Sequence, residues 1–189
     1  DVIRANARRM SALIDALLGF ARLGRHELRR DRVDMAELAR SAFEEAVADS
    51  AARARIELRI GELPDAEGDA SLLRQVWVNL LGNAAKYTAG RERPVVEVTA
   101  VPGEAATTYR VRDNGVGFDP RYVDKLFRVF ERLHPPDAFE GTGIGLALVK
   151  RIVLRHGGAV SAEGREDEGA SFSFSVPSAA GAALPRRPQ

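Results

Sequence analysis

The pattern of apolar positions divides the chain into a long helix and a following domain. Within residues 1–23, apolar side chains recur in alternating steps of four and three, which is typical of a coiled coil or a helical bundle. Because one helix cannot bury its own apolar stripe, we expect it to pack against a partner helix. Gly24 is predicted to end this helix, and the polar residues 25–33 are predicted to form a linker.

The pattern after the linker mixes helical and strand periods. Asp34 with Glu37 forms a capping box that predicts a helix start, and Asp69 is predicted to cap a longer helix. We expect residues 34–177 to form one domain and residues 178–189 to be a disordered tail. Strands are predicted at residues 56–60, 94–101, 107–112, 159–162 and 171–176, a loop at 61–68, and further helices at 121–130 and 146–156. This order predicts an α/β fold, a two-layer α/β sandwich with one mixed sheet and helices on one face.

Composition excludes several classes of protein. The 189 residues include 28 Lys and Arg against 27 Asp and Glu, so the basic excess of a nucleic-acid-binding protein is absent and we expect no nucleic-acid partner. The chain has no cysteine, which excludes disulfides and thiolate metal sites and fits a reducing compartment. No run of about 18 apolar residues occurs, so no membrane span is expected. The chain begins at Asp1, already in a helical pattern, which indicates a piece of a longer protein.

The helix predicted after Asp69 carries a polar stripe beside its apolar one. Asn79, Asn83 and Lys86 fall at i, i+4 and i+7, so they share one face of the helix. The adjoining apolar positions have the spacing of a buried face: Leu72, Leu73, Val76, Trp77, Leu80, Leu81 and Ala84. Two amides and a cation beside a packed face are suited to hold a metal-bound polyphosphate.

A carboxylate followed by two glycines stands at the end of a predicted strand, in the sequence Asp113-Asn114-Gly115-Val116-Gly117. Such a carboxylate can accept a hydrogen bond from an amine held against the backbone, and the exocyclic amine of adenine would fit. A tight turn without a ligand is the alternative, because Asp, Asn and Gly all favour turns.

A glycine-rich segment, Gly141-Thr142-Gly143-Ile144-Gly145-Leu146, precedes the next predicted helix. Glycines let the backbone approach phosphates, and a helix N-terminus favours anions. The segment lacks the Gly-Lys-Ser/Thr ending of a P-loop, and no hydrophobic strand precedes it as a dinucleotide fingerprint requires. A flexible hinge is the alternative.

Two aromatic residues at helical spacing, Phe127 and Phe130, stand just before Arg132. Core packing explains the aromatic pair as well as function does. The guanidinium of Arg132, at the root of a loop, is able to reach a terminal phosphate, and an ordinary surface arginine is the alternative.

The four segments together resemble the catalytic and ATP-binding domain (GHKL type) of sensor histidine kinases. In order and spacing they look like the family's N, G1, F and G2 boxes, and residues 169–172 look like a degenerate last glycine box. The resemblance covers residues 33–177. The segment around Phe130 and Arg132 is similar to kinases joined to phytochrome-like or PAS-type sensors. Residues 1–24 resemble the second half of the family's dimerisation and phosphotransfer hairpin.

The resemblance implies ATP and Mg²⁺ as ligands and a role for each site residue. Asn83 would coordinate Mg²⁺, Asn79 would line the phosphate side, and the catalytic residues Lys86 and Arg132 would neutralise phosphates, Arg132 at the γ-phosphate. Tyr87 would lie near the adenine or ribose, and Asp113 would read the adenine amine, with Gly115 and Gly117 giving the base room. The segment 133–140 would form a lid. The remaining predicted nucleotide-binding residues are Gly141, Thr142, Gly143, Gly145 and Leu146.

The phosphoacceptor histidine is not located by the sequence. His26 begins a motif that imitates the family's acceptor motif, but the expected proline is missing and His26 follows the predicted helix instead of lying in it. We therefore expect His26 to be a linker residue and the acceptor to lie outside this fragment. His134 and His156 are expected to be structural.

The predicted function is that of the ATP-binding catalytic domain of a cytoplasmic two-component histidine kinase. The intact protein would transfer the γ-phosphoryl group of Mg-ATP to a histidine and then to an aspartate of a response regulator receiver domain. A homodimer would form through the N-terminal hairpin. The alternatives are an ATPase or anti-sigma-type serine kinase of the same superfamily, and a non-catalytic nucleotide-binding dimerisation module.

Overall fold

The computed structural model describes residues 27–48, 55–133, 139 and 141–178. The predicted N-terminal helix, His26, His134 with most of the predicted lid, and the tail beyond residue 178 lie outside the described residues.

A mixed sheet of five strands forms the centre of the described part, and α-helices cover one of its faces. The elements in chain order are β1 (Asp31–Val33), α1 (Met35–Ala46), β2 (Glu57–Ile60), β3 (Ala66–Gly68), α2 (Ala70–Thr88), β4 (Val95–Pro102), β5 (Ala106–Asp113), a 3-10 helix (Pro120–Lys125), α3 (Gly145–Arg155), β6 (Val160–Arg165) and β7 (Gly169–Pro177). The strand order is β2-β4-β5-β7-β6. Only the β2–β4 pair is parallel among these four pairings. The predicted α/β sandwich is therefore confirmed.

The core lies between the sheet and α2. Strands β5 and β7 alternate buried and exposed positions, as expected for a sheet with one covered face. At the centre, the Trp77 ring packs edge-on against Phe174 at 5.0 Å and against Tyr109 at 5.9 Å between centroids. The Tyr109 hydroxyl donates a hydrogen bond to the carbonyl oxygen of Pro64 at 2.5 Å. Aromatic pairs of this geometry add to the stabilisation from buried area.

Helix α2 begins and packs as its sequence predicts. The Asp69 carboxylate accepts hydrogen bonds from the backbone N–H groups of Ser71 and Leu72, at 3.0 and 3.2 Å. These bonds satisfy two of the free donors at the helix start. The predicted apolar face is buried except for Leu72, which is half-buried, and the neighbouring face carries Asn79 and Asn83. Cap and apolar stripe together therefore determine which way the polar stripe faces.

Two short strands were missed by the sequence interpretation. Residues 31–33, assigned to the linker, form β1, and residues 66–68, assigned to a loop, form β3. The two strands pair antiparallel in a small separate sheet. Three residues are too few to show the period of a strand, so the pattern carried no signal for either.

The prediction of a helix at residues 121–130 is wrong beyond Lys125. The structure has a 3-10 helix at Pro120–Lys125, capped by the Asp119 carboxylate, which accepts from the N–H of Arg121 at 2.9 Å. Phe130 has φ of +67°, which is incompatible with a right-handed helix. The chain therefore turns out of helical geometry before it reaches Arg132.

None of the helices in the described part is long and apolar enough to cross a membrane. His156, predicted to be structural, is 2% exposed at the end of α3.

Candidate functional site

One cavity brings the predicted site residues together. Its volume is about 210 Å³, and it lies between α2, the end of β5 and the glycine-rich segment before α3. Every predicted nucleotide-binding residue except Gly115 lines it: Asn79, Asn83, Lys86, Tyr87, Asp113, Gly117, Arg132, Gly141, Thr142, Gly143, Gly145 and Leu146. Asn79 and Leu146, which are 67 positions apart in the chain, thus share one concave surface.

Helix α2 presents the amides of Asn79 and Asn83 to this cavity. The side-chain NH₂ of Asn79 donates to the carbonyl oxygen of Gln75 at 2.8 Å, which fixes the orientation of the amide. A Cβ atom placed on Gly145 would lie 2.5 Å from Asn79 Oδ1. An alanine at position 145 would therefore push the Asn79 amide out of its present position.

Lys86 contributes a partly desolvated cation. Its Nζ lies 4.3 Å from the centroid of the Tyr87 ring, and a Cβ placed on Gly141 would lie 3.4 Å from the same Nζ. Burial, with a smaller effect from the nearby charge of Arg132, lowers the pKa of Lys86 to about 8. An anion entering the cavity would favour the charged form.

Arg132 lies at the cavity wall and contacts the glycine-rich segment. Its Nη1 donates to the carbonyl oxygen of Gly141 at 3.0 Å, and its Nη2 donates to the carbonyl oxygen of Phe139. In this structure the guanidinium thus holds backbone of the segment that was predicted to act as a lid.

Tyr87 forms the aromatic part of the wall. Its ring meets the Phe139 ring edge-on at 4.8 Å between centroids. Its carbonyl oxygen accepts from the N–H of Val116 at 3.3 Å, which joins the end of α2 to the turn after β5. Burial raises the pKa of the Tyr87 hydroxyl above its usual value.

Asp113 is a buried carboxylate at the end of β5. It is 4% exposed, and its Oδ1 accepts from the N–H of Gly115 at 2.8 Å. Burial raises the pKa of Asp113 to about 6, against the opposing effects of hydrogen bonds from the backbone of Gly115 and Ala170 and of the charge of Arg91. The Phe118 and Phe172 rings, whose centroids are 6.2 Å apart, line the same cavity as this carboxyl. A carboxylate in such surroundings binds strongly to a donor that reaches it.

The two glycines after Asp113 are closely packed against other parts of the protein. Gly115 does not line the cavity, and a Cβ on it would lie 2.6 Å from the Tyr87 carbonyl oxygen. Gly117 has φ of +63°, and a Cβ on it would lie 1.8 Å from the Arg165 carbonyl oxygen. The small size of these residues lets the turn pack against α2 and the β6–β7 hairpin.

The glycine-rich segment leads into a helix start without a side-chain cap. Gly143 has φ of +73°, and its carbonyl oxygen accepts from the N–H of Phe130 at 2.9 Å. Ile144 at the start of α3 makes no side-chain capping hydrogen bond, whereas Gly145 and Leu146 line the cavity. Uncapped N–H groups at a helix start attract anions.

Several lining residues were not predicted as part of the site. They are Phe118, Leu126, Glu131, Leu133, Ala170 and Phe172, of which Leu133 was expected only as the first lid residue. Ala170 and Phe172 alternate inward along β7 and so have the pattern of ordinary core residues. The likeness of residues 169–172 to a glycine box was the one signal that pointed to them.

Within the described residues, no group of three or more His, Cys, Asp or Glu side chains is placed to hold a metal ion. A site built only from carboxylates and imidazoles is therefore not found among these residues. A cation bound through the Asn83 amide, ligand oxygens and water remains compatible with the donor set, and this is the coordination that Mg²⁺ favours.

Comparison with known proteins identifies a matching family and several similar proteins. Residues 68–180 match the profile of the family described as histidine kinase-, DNA gyrase B-, and HSP90-like ATPase. The phytochrome-like protein Cph1 of Synechocystis sp. is 33% identical over 171 residues, which is 89% of this chain and 22% of that protein. The chain likewise spans 15% and 23% of two Nostoc phytochromes.

Two solved structures share the fold. The full-length ShkA, solved in complex with AMPPNP, has a TM-score of 0.75 and 31% identity, covering 93% of this chain and 37% of that one. The mycobacterial sensor histidine kinase MprB has a TM-score of 0.68 and 28% identity, covering 78% of this chain and 97% of that one.

Proposed function

Since this chain belongs to the family of histidine kinase-, DNA gyrase B- and HSP90-like ATPases and contains the ATP-binding catalytic domain of sensor histidine kinases, we propose that the intact protein is a two-component kinase. It would transfer the γ-phosphoryl group of ATP to a histidine and then to an aspartate of a response regulator receiver domain. The aligned region covers 22% of the length of Cph1, so the activity of an intact protein is part of the proposal.

The convergence of Asn83 and Asp113 on one cavity is the observation that carries the proposal. A polar helix face suited to phosphates and a buried carboxylate suited to a base line the same cavity. A nucleoside triphosphate has this distribution of chemistry, with a neutral amine-bearing base at one end and several negative charges at the other.

The base end of the cavity would take adenine. The Asp113 carboxylate would accept a hydrogen bond from the exocyclic amine, and its apolar neighbours would exclude competing water. Tyr87 and Phe172 line the same cavity and provide apolar surface for the purine ring.

The phosphate end would be formed by α2 and the start of α3. Lys86 supplies a positive charge, and the uncapped N–H groups near Gly145 supply donors. Arg132 would exchange its contacts with the loop carbonyls for a contact with the γ-phosphate when the lid closes over the nucleotide. Phosphoryl transfer depends mostly on such positioning and charge neutralisation.

Mg²⁺ is the expected cofactor, and Asn83 is the residue that would hold it. The cavity supplies an amide oxygen and space for water and phosphate oxygens, which is the oxygen-only environment that Mg²⁺ requires. When bound, the ion would neutralise the charge of the phosphate groups.

The remaining parts of the proposal concern the intact protein. The phosphoacceptor histidine would lie on a helix upstream of this fragment, and residues 1–24 would complete the hairpin through which two copies pair. The kinase would act in the cytoplasm, where its ATP and its response regulator are found.

A longer protein that includes the upstream helix tests the proposal. Incubated with Mg²⁺ and γ-labelled ATP, it should form an acid-labile, base-stable phosphohistidine, with the P–O bond of ATP broken, a P–N bond formed and ADP released. Phosphoserine on a partner would favour the serine-kinase alternative. Nucleotide binding without any phosphotransfer would favour the non-catalytic module.

A further inference from the structure

An arginine outside the cavity contacts two turns that lie next in the chain to residues lining it. Arg91 lies in the loop between α2 and β4, and its backbone N–H donates to the Thr88 carbonyl oxygen at 2.9 Å. Its Nε donates to the carbonyl oxygen of Asn114 at 2.9 Å, and its Nη2 donates to that of Gly115 at 2.8 Å. The same Nη2 donates to the carbonyl oxygen of Asp167 at 2.6 Å. One side chain therefore joins the turn after β5 to the turn between β6 and β7.

The turn that Arg91 holds is also the turn that holds Asp113. The N–H of Gly115 donates to Asp113 Oδ1, and the carbonyl oxygen of the same Gly115 accepts a hydrogen bond from the Arg91 guanidinium. The Asp167 N–H donates to the Val116 carbonyl oxygen at 2.8 Å, which closes the contact between the two turns. A displacement of the Asn114–Gly115 peptide would therefore move the donor that orients the carboxylate.

The planar guanidinium is suited to this task because its donors point in fixed directions and can reach several carbonyl oxygens at once. A lysine ammonium carries the same charge but is a single point on a flexible chain. The ion pair between Arg91 and Asp167 is long at 3.6 Å, and the Asp167 side chain is 87% exposed. The Arg91 side chain, by contrast, is only 31% exposed. The bonds to backbone carbonyls, and not the exposed ion pair, carry the connection.

We infer that Arg91 is a positioning residue for base recognition: by fixing the Asn114–Gly115 turn against the β6–β7 hairpin, it aims the Asp113 carboxylate at the amine of the nucleotide base. This inference rests on the proposed function, in which Asp113 accepts a hydrogen bond from adenine.

The charge of Arg91 has a second effect on the carboxyl. It opposes the burial that raises the pKa of Asp113, so Arg91 favours the ionised form that accepts hydrogen bonds from a donor. The other ionisable side chains that line a cavity together with this carboxyl are Lys86, Tyr87, Glu131 and Arg132 on one side and Arg110, Arg112, Glu163, Arg165 and Glu168 on the other.

The test compares ATP with purine riboside triphosphate, which lacks the exocyclic amine, in binding titrations of the 189-residue chain. Arg91→Gln should weaken ATP binding about tenfold, the equivalent of one misplaced hydrogen bond to a charged group. Binding of purine riboside triphosphate should change by less than about twofold, because it makes no use of that hydrogen bond. The pH below which ATP affinity declines should also move upward in Arg91→Gln.

Arg91→Lys keeps the positive charge but removes the fixed donor directions of the guanidinium, so it separates the effect of geometry from that of charge. Because only the side-chain head group changes, it also serves as a second variant in case Arg91→Gln does not fold. It should lose much of the ATP preference while keeping the pH dependence of the unmodified chain. Arg93→Gln is the matched control, because the exposed Arg93 side chain makes no hydrogen bond or ion pair with any residue that the structure describes. It should bind both nucleotides as the unmodified chain does.

The outcomes distinguish this inference from the proposed function. Equal losses for both nucleotides in Arg91→Gln, or no loss, would overturn the positioning role while leaving ATP recognition intact. If the unmodified chain binds the two nucleotides equally, adenine recognition by Asp113 fails, and the role of Arg91 fails with it.

Discussion

The imidazole Nε2 of His156 accepts a hydrogen bond from the backbone N–H of Asp69 at 3.0 Å. Its Nδ1 lies 2.8 Å from the carbonyl oxygen of Ile152, so a neutral ring protonated at Nδ1 satisfies both contacts. The ring joins the end of α3 to the cap of α2, the helix that carries the polar stripe of the cavity.

Protonation of His156 should destabilise the protein as the pH falls. Burial holds the pKa of His156 below 6.5, so the unfolded chain takes up this proton at a higher pH than the folded chain. The contribution of the neutral ring is therefore complete above about pH 6.5 and is lost as the pH falls through the folded pKa. Urea unfolding between about pH 7.5 and pH 5 measures this decline.

His156→Gln provides the comparison for this prediction. Glutamine has no proton to take up in this range, so the decline should be smaller, and the loss of the ring should cost about 1–3 kcal/mol at neutral pH. The prediction is contradicted if both proteins lose the same free energy of unfolding between the two pH values.

Asn83→Ala should remove the magnesium dependence of nucleotide binding. The amide lines the cavity beside the buried face of α2 and does not fill the core, so the fold should persist. Calorimetric titration with Mg-ATP should show a loss of at least about tenfold in affinity, with little change when Mg²⁺ is chelated. Gln75→Ala removes an exposed amide from the same helix and should have no effect. Unchanged Mg-ATP binding by Asn83→Ala would refute the metal assignment.

Asp113→Asn should weaken ATP binding about tenfold and relax the preference for ATP over GTP, because a neutral amide is a poorer acceptor for the adenine amine. In the unmodified chain, ATP affinity should fall as the pH drops below about 6, where the carboxyl becomes protonated. Competition between ATP and GTP over a range of pH measures both effects. A variant that keeps full selectivity would remove Asp113 from the recognition of the base.

Unfolding measurements show whether the weaker ATP binding of Asp113→Asn reflects a loss of structure. Burial raises the pKa of Asp113, so the folded chain holds its proton more tightly than the unfolded chain, and stability from this group is lost as the pH rises through about 6. Asp113→Asn removes a buried charge, so its free energy of unfolding at neutral pH should be no lower than that of the unmodified chain.

Gly145→Ala should displace the Asn79 amide from its present position beside the start of α3. The new Cβ would lie 2.5 Å from Asn79 Oδ1, and relief of that contact should cost about 1–3 kcal/mol and about tenfold in ATP affinity. Gly82→Ala is the control, because its Cβ would meet only the Ala46 Cβ at 3.6 Å, an ordinary contact. It should be neutral or stabilise α2 by up to about 1 kcal/mol. Thermal unfolding and nucleotide titration of both variants check the prediction.

Much of the cavity could be predicted because polar residues interrupt an apolar pattern. Asn83 at helical spacing from Asn79, and Asp113 at a strand end before glycines, are unusual in sequence and lie together in the structure. Ala170 and Phe172 could not be identified in this way, because a residue that faces a cavity from a strand has the same alternation as one that faces the core. The apolar wall therefore becomes visible only when the strands are paired.

The sequence pattern could not predict the role of Arg91 or the turn at Phe130, for other physical reasons. Arg91 bonds to backbone carbonyls, which every residue possesses, so its partners at Gly115 and Asp167 carry no side-chain signal. The spacing of Phe127 and Phe130 suits a helix, but the contact of Phe130 with the Gly143 carbonyl requires a left-handed backbone. In both cases contacts distant in sequence override the local pattern.

Asp113 lies opposite Val96 on β4 and opposite Ala170 on β7. Side chains alternate between the two faces of a sheet, so a slip of one residue in β5 would move the carboxyl to the solvent side and bring its neighbour inward. Selective binding of adenine would thus report that the central strands have been aligned correctly during folding. An affinity column of immobilised ATP could then separate correctly folded chains from compact chains whose strands are paired in the wrong register.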